Sequence, residues 1–384
     1  MRLLLVDDDL RLLGGLRRSL RVERPHWEVM AVAAGAEALA LLEAGGFDVL
    51  VADMHMPGMD GATLLQRARV VAPGTVRLVL SGHAGRDLIL ACEGSCHQFL
   101  GKPLDPAEFI HILEGFDPGP ARPETLRART LVAGLERLPS LPSLHRDLAQ
   151  LLGEARPSLA GICALVRQDL GMASKVLKLV NSTFSASSFA PRRKFLDLDQ
   201  AVEMLSLDVL RSAVLVHGAV ATAESLFPSG LDLEGLWEHS QAVAEACGFL
   251  ARAETQDPAV EAFCHTAGLL HDLGILVLAG DPSLGYRDVL DLCAVTKSPM
   301  ATVELDRFGT DHAEVGAELL HLWGLDPALC EVIRGHHVRK PDLGVFSLGR
   351  TLQLADLWSS NTLRGNPYSD GDEGLLAPAA DPRS

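Results

Sequence analysis

Five short apolar runs recur through the first 116 residues: LLLV (3–6), VMAV (29–32), VLVA (49–52), VRLVL (76–80) and QFL (98–100). Each is followed by a stretch whose apolar residues have helical spacing. A strand covered on both faces reads as a continuous apolar run, and the path back to the next parallel strand is a right-handed helical crossover. The alternation therefore predicts an α/β doubly wound domain with a five-stranded parallel sheet over residues 1–116. In such a sheet the carboxyl ends of the strands form one rim, where ligands bind. Asp7 and Asp8 follow the first run, Asp53 the third, Ser81 the fourth, and Lys102 lies just beyond the fifth. All five are expected on that rim.

Carboxylates gathered without a cation repel one another and raise each other's pKa. Asp7, Asp8 and Asp53 therefore call for a divalent ion. Mg²⁺ prefers oxygen ligands and keeps several waters, which suits two or three carboxylates and a carbonyl. Lys102 supplies a point charge for a phosphoryl oxygen, and Ser81 a hydroxyl donor. With the metal neutralising developing charge, Asp53 can act as a nucleophile toward phosphorus and form an aspartyl phosphate. Taken singly, VDDDL reads as a helix-capping turn and Asp53 as a loop residue; their joint placement carries the functional reading.

Asp7, Asp8, Asp53 with MPGMDG, Ser81, and Lys102-Pro103 together resemble the receiver domain of two-component response regulators. The resemblance covers about residues 1–116. It implies phosphotransfer to Asp53 from a sensor histidine kinase, with Asp7 and Asp8 holding Mg²⁺. It also implies a switch in which Ser81 moves toward the phosphoryl group and Phe99, at the aromatic position three residues before Lys102, turns inward. Cys92 and Cys96, with His97 beside them, read as small core residues rather than as a redox or metal pair.

FDPGPARPE, 116–124, concentrates three prolines and a glycine and breaks both periodicities. It reads as a boundary, with a linker at 117–123. Beyond it the strand signals cease: SLAGICALV (158–166) and DVLRSAVLVHGAVATAESLF (208–227) have helical spacing. An all-α domain is expected over 124–360. The segment 361–384, rich in Gly, Pro and Asp, reads as a disordered tail.

In the α region HTAGLLHDLGILVLAG sets His271-Asp272 in an apolar segment, where polar groups are costly unless paired, hydrogen-bonded or metal-bound. His239, His312, His336, His337 and Asp356 lie in comparable settings. Imidazoles with carboxylates suit Zn, Fe, Mn or Ni, in one or two positions.

The series resembles the HD phosphohydrolase superfamily, which implies His239, His271, Asp272 and Asp356 as a metal site. His312, His336 and His337 are similar to the additional ligands of the HD-GYP cyclic-di-GMP phosphodiesterases. Against that branch, Ile275 stands where those enzymes carry lysine, and HHVRKPDLGVF lacks their Gly-Tyr-Pro signature. LERLPSLPSLHRDLAQLL, ICALVRQDLGMASKVLKLVNS, LDQAVEMLSLDVLRSAVL, GLLHDLG and DHAEVGAELLHLWGL resemble instead the HDOD output domain of bacterial signalling proteins, regarded as non-catalytic. Leu170, Gly171 and Ser206 depart from that family's usual residues. The two functional readings are a phosphorylation-controlled module that acts by binding a downstream protein, ranked first, and a phosphorylation-gated metal-dependent phosphohydrolase.

Composition bounds the partners. A formal net charge of −16 opposes broad binding to nucleic acid or anionic membranes, with Arg192-Arg193-Lys194 as a local basic exception. No helix-turn-helix signal stands out. Seven cysteines without a regular framework, and a first segment unlike a secretory signal, point to the cytoplasm. No run reaches the roughly 18 consecutive apolar residues of a membrane span. The sequence names neither kinase nor downstream partner and leaves a homodimer open.

Overall fold

The computed structural model describes the chain apart from residues 83–93, 118, 120–121, 136–137, 139–141, 155, 186–196, 206, 208, 211–213, 215–229, 339–345 and 363–384. The expected strands are present as β1 (Arg2–Val6), β2 (Glu28–Val32), β3 (Val49–Asp53), β4 (Val76–Ser81) and β5 (Gln98–Gly101). All pair in parallel, in the order β2-β1-β3-β4-β5. Helices α1 (Leu10–Glu23), α2 (Gly35–Ala44), α3 (Gly61–Val71) and α4 (Pro106–Glu114) connect or flank them. Strand β3 is buried throughout and β1 from Leu3 onward, as their apolar runs require. Of the three consecutive aspartates, the last is the capping residue: Asp9 accepts from the Arg11 and Leu12 amides at 2.8 and 3.2 Å. That leaves Asp7 and Asp8 for the rim.

The remainder is helical: α5 (Pro123–Gly134), α6 (Pro142–Leu152), α7 (Leu159–Arg167), α8 (Leu170–Ser185), α9 (Leu198–Met204), α10 (Leu233–Thr255), α11 (Pro258–Leu270), α12 (Leu273–Gly280), a short 3₁₀ turn, α13 (Arg287–Thr296), α14 (Met300–Phe308), α15 (His312–Leu322), α16 (Pro327–Arg334) and α17 (Leu348–Thr362). Asp-Pro pairs open α11 and α16, the aspartate capping and the proline pre-setting the first turn. Pro258–Gly280 is long and apolar enough in composition to cross a membrane, but 83% of its most apolar window is buried inside the protein. It is the central core segment. Most of the segment expected as a helix over 208–227, Arg192-Arg193-Lys194, Cys92, Ser206 and nearly all of the segment 361–384 lie outside the described residues.

The sheet and the helical region share one apolar core. Leu80, Leu100, Phe109 and Phe116 belong to the same buried cluster as Ala128, Val132, Val176 and Leu320. Burial of each large aliphatic side chain there contributes about 1.5–3 kcal/mol. Helix α8 packs against the edge strand β5, and Lys178 on α8 donates to the Cys96 carbonyl at 3.1 Å. Cys96 and His97 are buried, in line with a core role. His321 on α15 reaches the Gly115 carbonyl at 2.9 Å.

Candidate functional site

Two groups of polar side chains draw attention, one on each part of the chain. On the sheet rim, Asp7 and Asp53 are buried and Asp8 is exposed, and one oxygen from each lies within 4.8 Å of the others. The MPGMDG turn is held close by Gly61, whose position leaves no room for a side chain against the Asp53 carbonyl. Lys102 Nζ spans the pocket, 2.7 Å from Asp7 Oδ2 and 2.6 Å from Asp53 Oδ1. Partial burial pulls Lys102 down, but bonds and charge from Asp53 and Asp7 outweigh it and hold it above the usual lysine range. The second Asp53 oxygen accepts from the His55 amide at 3.2 Å. Ser81 ends β4, and its carbonyl accepts from the Lys102 amide at 2.8 Å. Phe99 is buried on the opposite face of β5 from Leu100, in the second apolar cluster. The rim thus gathers all five polar residues read from the strand ends.

The second group lies where α10, the α11–α12 break, the start of α15, the end of α16 and α17 converge. Asp272 holds the N-cap position of α12 yet makes no capping hydrogen bond, so its carboxylate is free to face inward. Gly274, two residues on, has no room for a Cβ against the His312 carbonyl and the Gly316 amide. This close approach brings the His271-Asp272 pair to α15.

Asp272 divides its oxygens. Oδ2 lies 3.5 Å from His239 Nε2 and 3.2 Å from His271 Nε2, while Oδ1 lies 3.4 Å from His312 Nε2 and 3.8 Å from His336 Nε2. Asp356 Oδ1 is 3.2 Å from His239 Nε2, and His337 Nε2 is 2.7 Å from His312 Nε2. The atoms form one set from His239, His271 and Asp356 and another from His312, His336 and His337, with Asp272 between. His239, His271, Asp272, His312, His336 and Asp356 are buried and His337 half-buried.

Their hydrogen bonding bears on whether a metal suits the set. His271 Nδ1 donates to the Gly268 carbonyl at 2.8 Å, and His336 Nδ1 to the Ile333 carbonyl at 2.6 Å. A carbonyl only accepts, so in each neutral ring Nε2 carries the lone pair. Among the described residues, Nε2 of His239, His271 and His336 and Oδ1 of Asp356 are buried without any hydrogen-bond partner. Buried polar atoms aimed at a common locus are costly unless a metal ion, or the protons that Asp272 draws in, satisfy them. The residues fit a transition metal with imidazole and carboxylate ligands. In a cation-free site, burial lowers His271, but the Asp272 charge outweighs it and lifts the ring to about 9. Burial also lowers His312, where Glu304 and Asp272 outweigh it and hold it well up, while burial and then the neighbouring His337 keep His336 well down. A metal would displace the protons drawn in by Asp272.

Glu304 and Tyr286 were not among the residues singled out from the sequence, yet both adjoin this set through His312. Their signal was present as a glutamate in the apolar MATVELDRF pattern, on its buried face.

A model of the HDOD domain family matches residues 138–339, and one of the response regulator receiver domain matches residues 3–114. The chain belongs to the HDOD family. Its N-terminal part is a receiver domain and the chain is a response regulator. A Treponema pallidum protein described only as uncharacterized is 27% identical over 56% of this HDOD chain and 40% of its own length. The hydrogenase transcriptional regulatory protein HoxA of Cupriavidus necator is 31% identical over 40% of this chain and 31% of its own. The HDOD chain thus spans less than half the length of these curated relatives. The MmoQ response regulator of Methylococcus capsulatus is 22% identical with a TM-score of 0.48, over 59% of this chain and 88% of that one.

Proposed function

We propose that this response regulator takes a phosphoryl group on Asp53 from a sensor histidine kinase, with Mg²⁺ held by Asp7, Asp8 and Asp53, and that the charge added there controls the HDOD region, which acts on a downstream protein. The observation that carries the reading is the Asp53–Lys102–Asp7 arrangement, in which one lysine bridges two buried carboxylates beside an exposed third. A phosphoryl group adds about −1.5 to −2 charge, enough to redirect Lys102 away from Asp7. Mg²⁺ supplies neutralisation of the developing charge; Asp53 is the nucleophile and Lys102 steadies the phosphoryl oxygens.

The helix α5, which follows the receiver, provides a path for control. Arg122 and Thr125 contact Glu314 at 2.7 Å each, and Arg129 contacts Glu318 at 2.8 Å. Both glutamates lie on α15, the helix that begins with His312. A shift of α5 would therefore load the helix that presents a candidate ligand.

A second reading has specific support in the orphaned nitrogens around Asp272: the HDOD region holds one or two transition-metal ions through His239, His271, Asp272 and Asp356, and through His312, His336 and His337. A metal so held supplies Lewis-acid chemistry for phosphoester hydrolysis. The binding module remains the first-ranked function.

Acetyl phosphate with Mg²⁺ should label the wild-type protein, and Asp53→Asn should abolish the label, because an amide is a poor nucleophile toward phosphorus. Equal labelling of the two proteins would overturn the assignment.

A further inference from the structure

Glu304 is wholly buried on α14, and its carboxylate serves two residues. Oε1 accepts from the Tyr286 hydroxyl. Oε2 accepts both from the His312 amide at 2.8 Å and from His312 Nδ1 at 2.6 Å. An anchor for the start of α15 would need only the amide. The second bond grips the ring, and the two together fix how the imidazole leaves the backbone, with Nε2 toward Asp272 Oδ1 at 3.4 Å.

The acceptor chemistry is asymmetric across the cluster. His271 and His336 give their Nδ1 protons to neutral carbonyls of Gly268 and Ile333, whereas His312 gives its proton to a carboxylate. A carboxylate behind an imidazole makes the far nitrogen a stronger donor to a metal than a carbonyl does. Tyr286 is also buried, and its hydroxyl holds Glu304 from the side away from His312. The chain Tyr286–Glu304–His312 thus ends on only one of the two histidine sets, the one completed by His336 and His337.

We infer that Glu304, held by Tyr286, is the positioning residue for a second cation, bound by His312, His336, His337 and Asp272 Oδ1, and that it tunes this position separately from that of His239, His271 and Asp356. The inference rests on the metal-binding reading of the HDOD region. It requires no turnover and holds equally for a structural or a sensing metal.

The test is titration of the metal-free full-length chain with cobalt(II) in excess Mg²⁺, which occupies the receiver rim, following stoichiometry by native mass spectrometry and ligand-field absorption in the visible range. Wild type should take up two equivalents. Glu304→Gln keeps the shape and the oxygen acceptor but removes the charge; its first equivalent should bind as in wild type and its second about 10–100-fold more weakly. Tyr286→Phe should weaken the second equivalent in the same direction by a smaller factor, and serves as the test if Glu304→Gln fails to fold. A second equivalent unaffected in a folded Glu304→Gln and in Tyr286→Phe, or equal weakening of both equivalents, would overturn the inference while leaving metal binding intact. Wild type that takes up a single equivalent abolished by His239→Ala would overturn it too. No cobalt uptake by wild type would overturn this inference together with the metal reading, while phosphorylation of Asp53 would stand.

Discussion

Arg77, fully buried on β4 of the receiver, donates through Nη2 to the Ala133 carbonyl at 2.9 Å, in the last turn of α5. The guanidinium also donates to the Ser95, Thr75 and Pro73 carbonyls at 2.8, 2.9 and 3.3 Å and lies 3.1 Å from His97 Nε2. Burial lowers the guanidinium to about 10, which leaves it charged at neutral pH. A cation at a helix C-terminus is favourable, so this contact ties the receiver to the far end of the helix whose Arg122 and Arg129 grip α15. Arg77→Met should leave several buried carbonyls unpaired and cost about 2–4 kcal/mol. Amide exchange in α5 should accelerate more than in β1 or β3. Uniform acceleration across the receiver, or none in α5, would remove Arg77 from interdomain coupling.

At the rim, the exposed Asp8 and the buried Ser81 should separate two steps. Asp8→Asn should slow labelling of Asp53 by weakening Mg²⁺ binding while leaving the thermal midpoint close to wild type, since Asp8 is exposed. Ser81→Ala should still be labelled, but phosphorylation should no longer alter small-angle scattering or exchange in α5. The same phosphorylation-dependent change in Ser81→Ala and wild type would exclude the hydroxyl from the switch.

The receiver was legible because its chemistry hangs on strand ends. Once five apolar runs are placed in a parallel sheet, Asp7, Asp53, Ser81 and Lys102 have no freedom to be elsewhere than one rim. The histidine cluster was legible as residue types but not as an arrangement. Nothing in the spacing of HDLG says that Asp272 leaves its helix uncapped or that its two oxygens face different histidines. That follows from the close approach of Gly274 to His312, a tertiary fact. Glu304 was missed because one acid within an amphipathic pattern is ordinarily a solvated residue; only the fold places it behind His312. The docking of α8 on β5 and the shared core were equally hidden, since an apolar face does not name its partner.

Asp117, just beyond α4, offers a pH test. Asp117 accepts from the Trp27 indole at 2.6 Å and the Gly119 amide at 3.3 Å, and lies 3.8 Å from the Met1 amino group and 3.5 Å from His26 Nε2; Arg129 on α5 donates to its carbonyl oxygen. Burial raises this carboxyl, but the Trp27 and Gly119 bonds and the neighbouring positive charge outweigh it and hold it below its ordinary 3.8. A depressed folded-state pKa means stability that is present above the unfolded value and lost as pH falls through the folded one. The stability difference between wild type and Asp117→Asn in urea should therefore be constant from neutral pH down to about 5 and shrink below 4. A difference that grows in acid would contradict the assignment.

The HDOD cluster gives the decisive comparison between module and enzyme. His271→Ala with Asp272→Ala removes a ligand from one histidine set and the carboxylate shared by both. If the wild-type protein carries a transition metal, the double variant should lose it, because each cation position then keeps too few donors. Since a metal that binds only the folded chain stabilises it by mass action, the thermal midpoint should fall in the variant and fall likewise when wild type is treated with chelator. Chelator should shift the variant's midpoint little. With the metal status known, wild type is offered cyclic dinucleotides, nucleotides and a generic phosphodiester, with and without phosphorylation of Asp53. The module reading expects no hydrolysis in any combination, the metal then serving structure or sensing. Metal-dependent turnover that vanishes in the double variant would replace it with the phosphohydrolase reading. Retention of metal by the double variant would instead show that the ion sits away from Asp272.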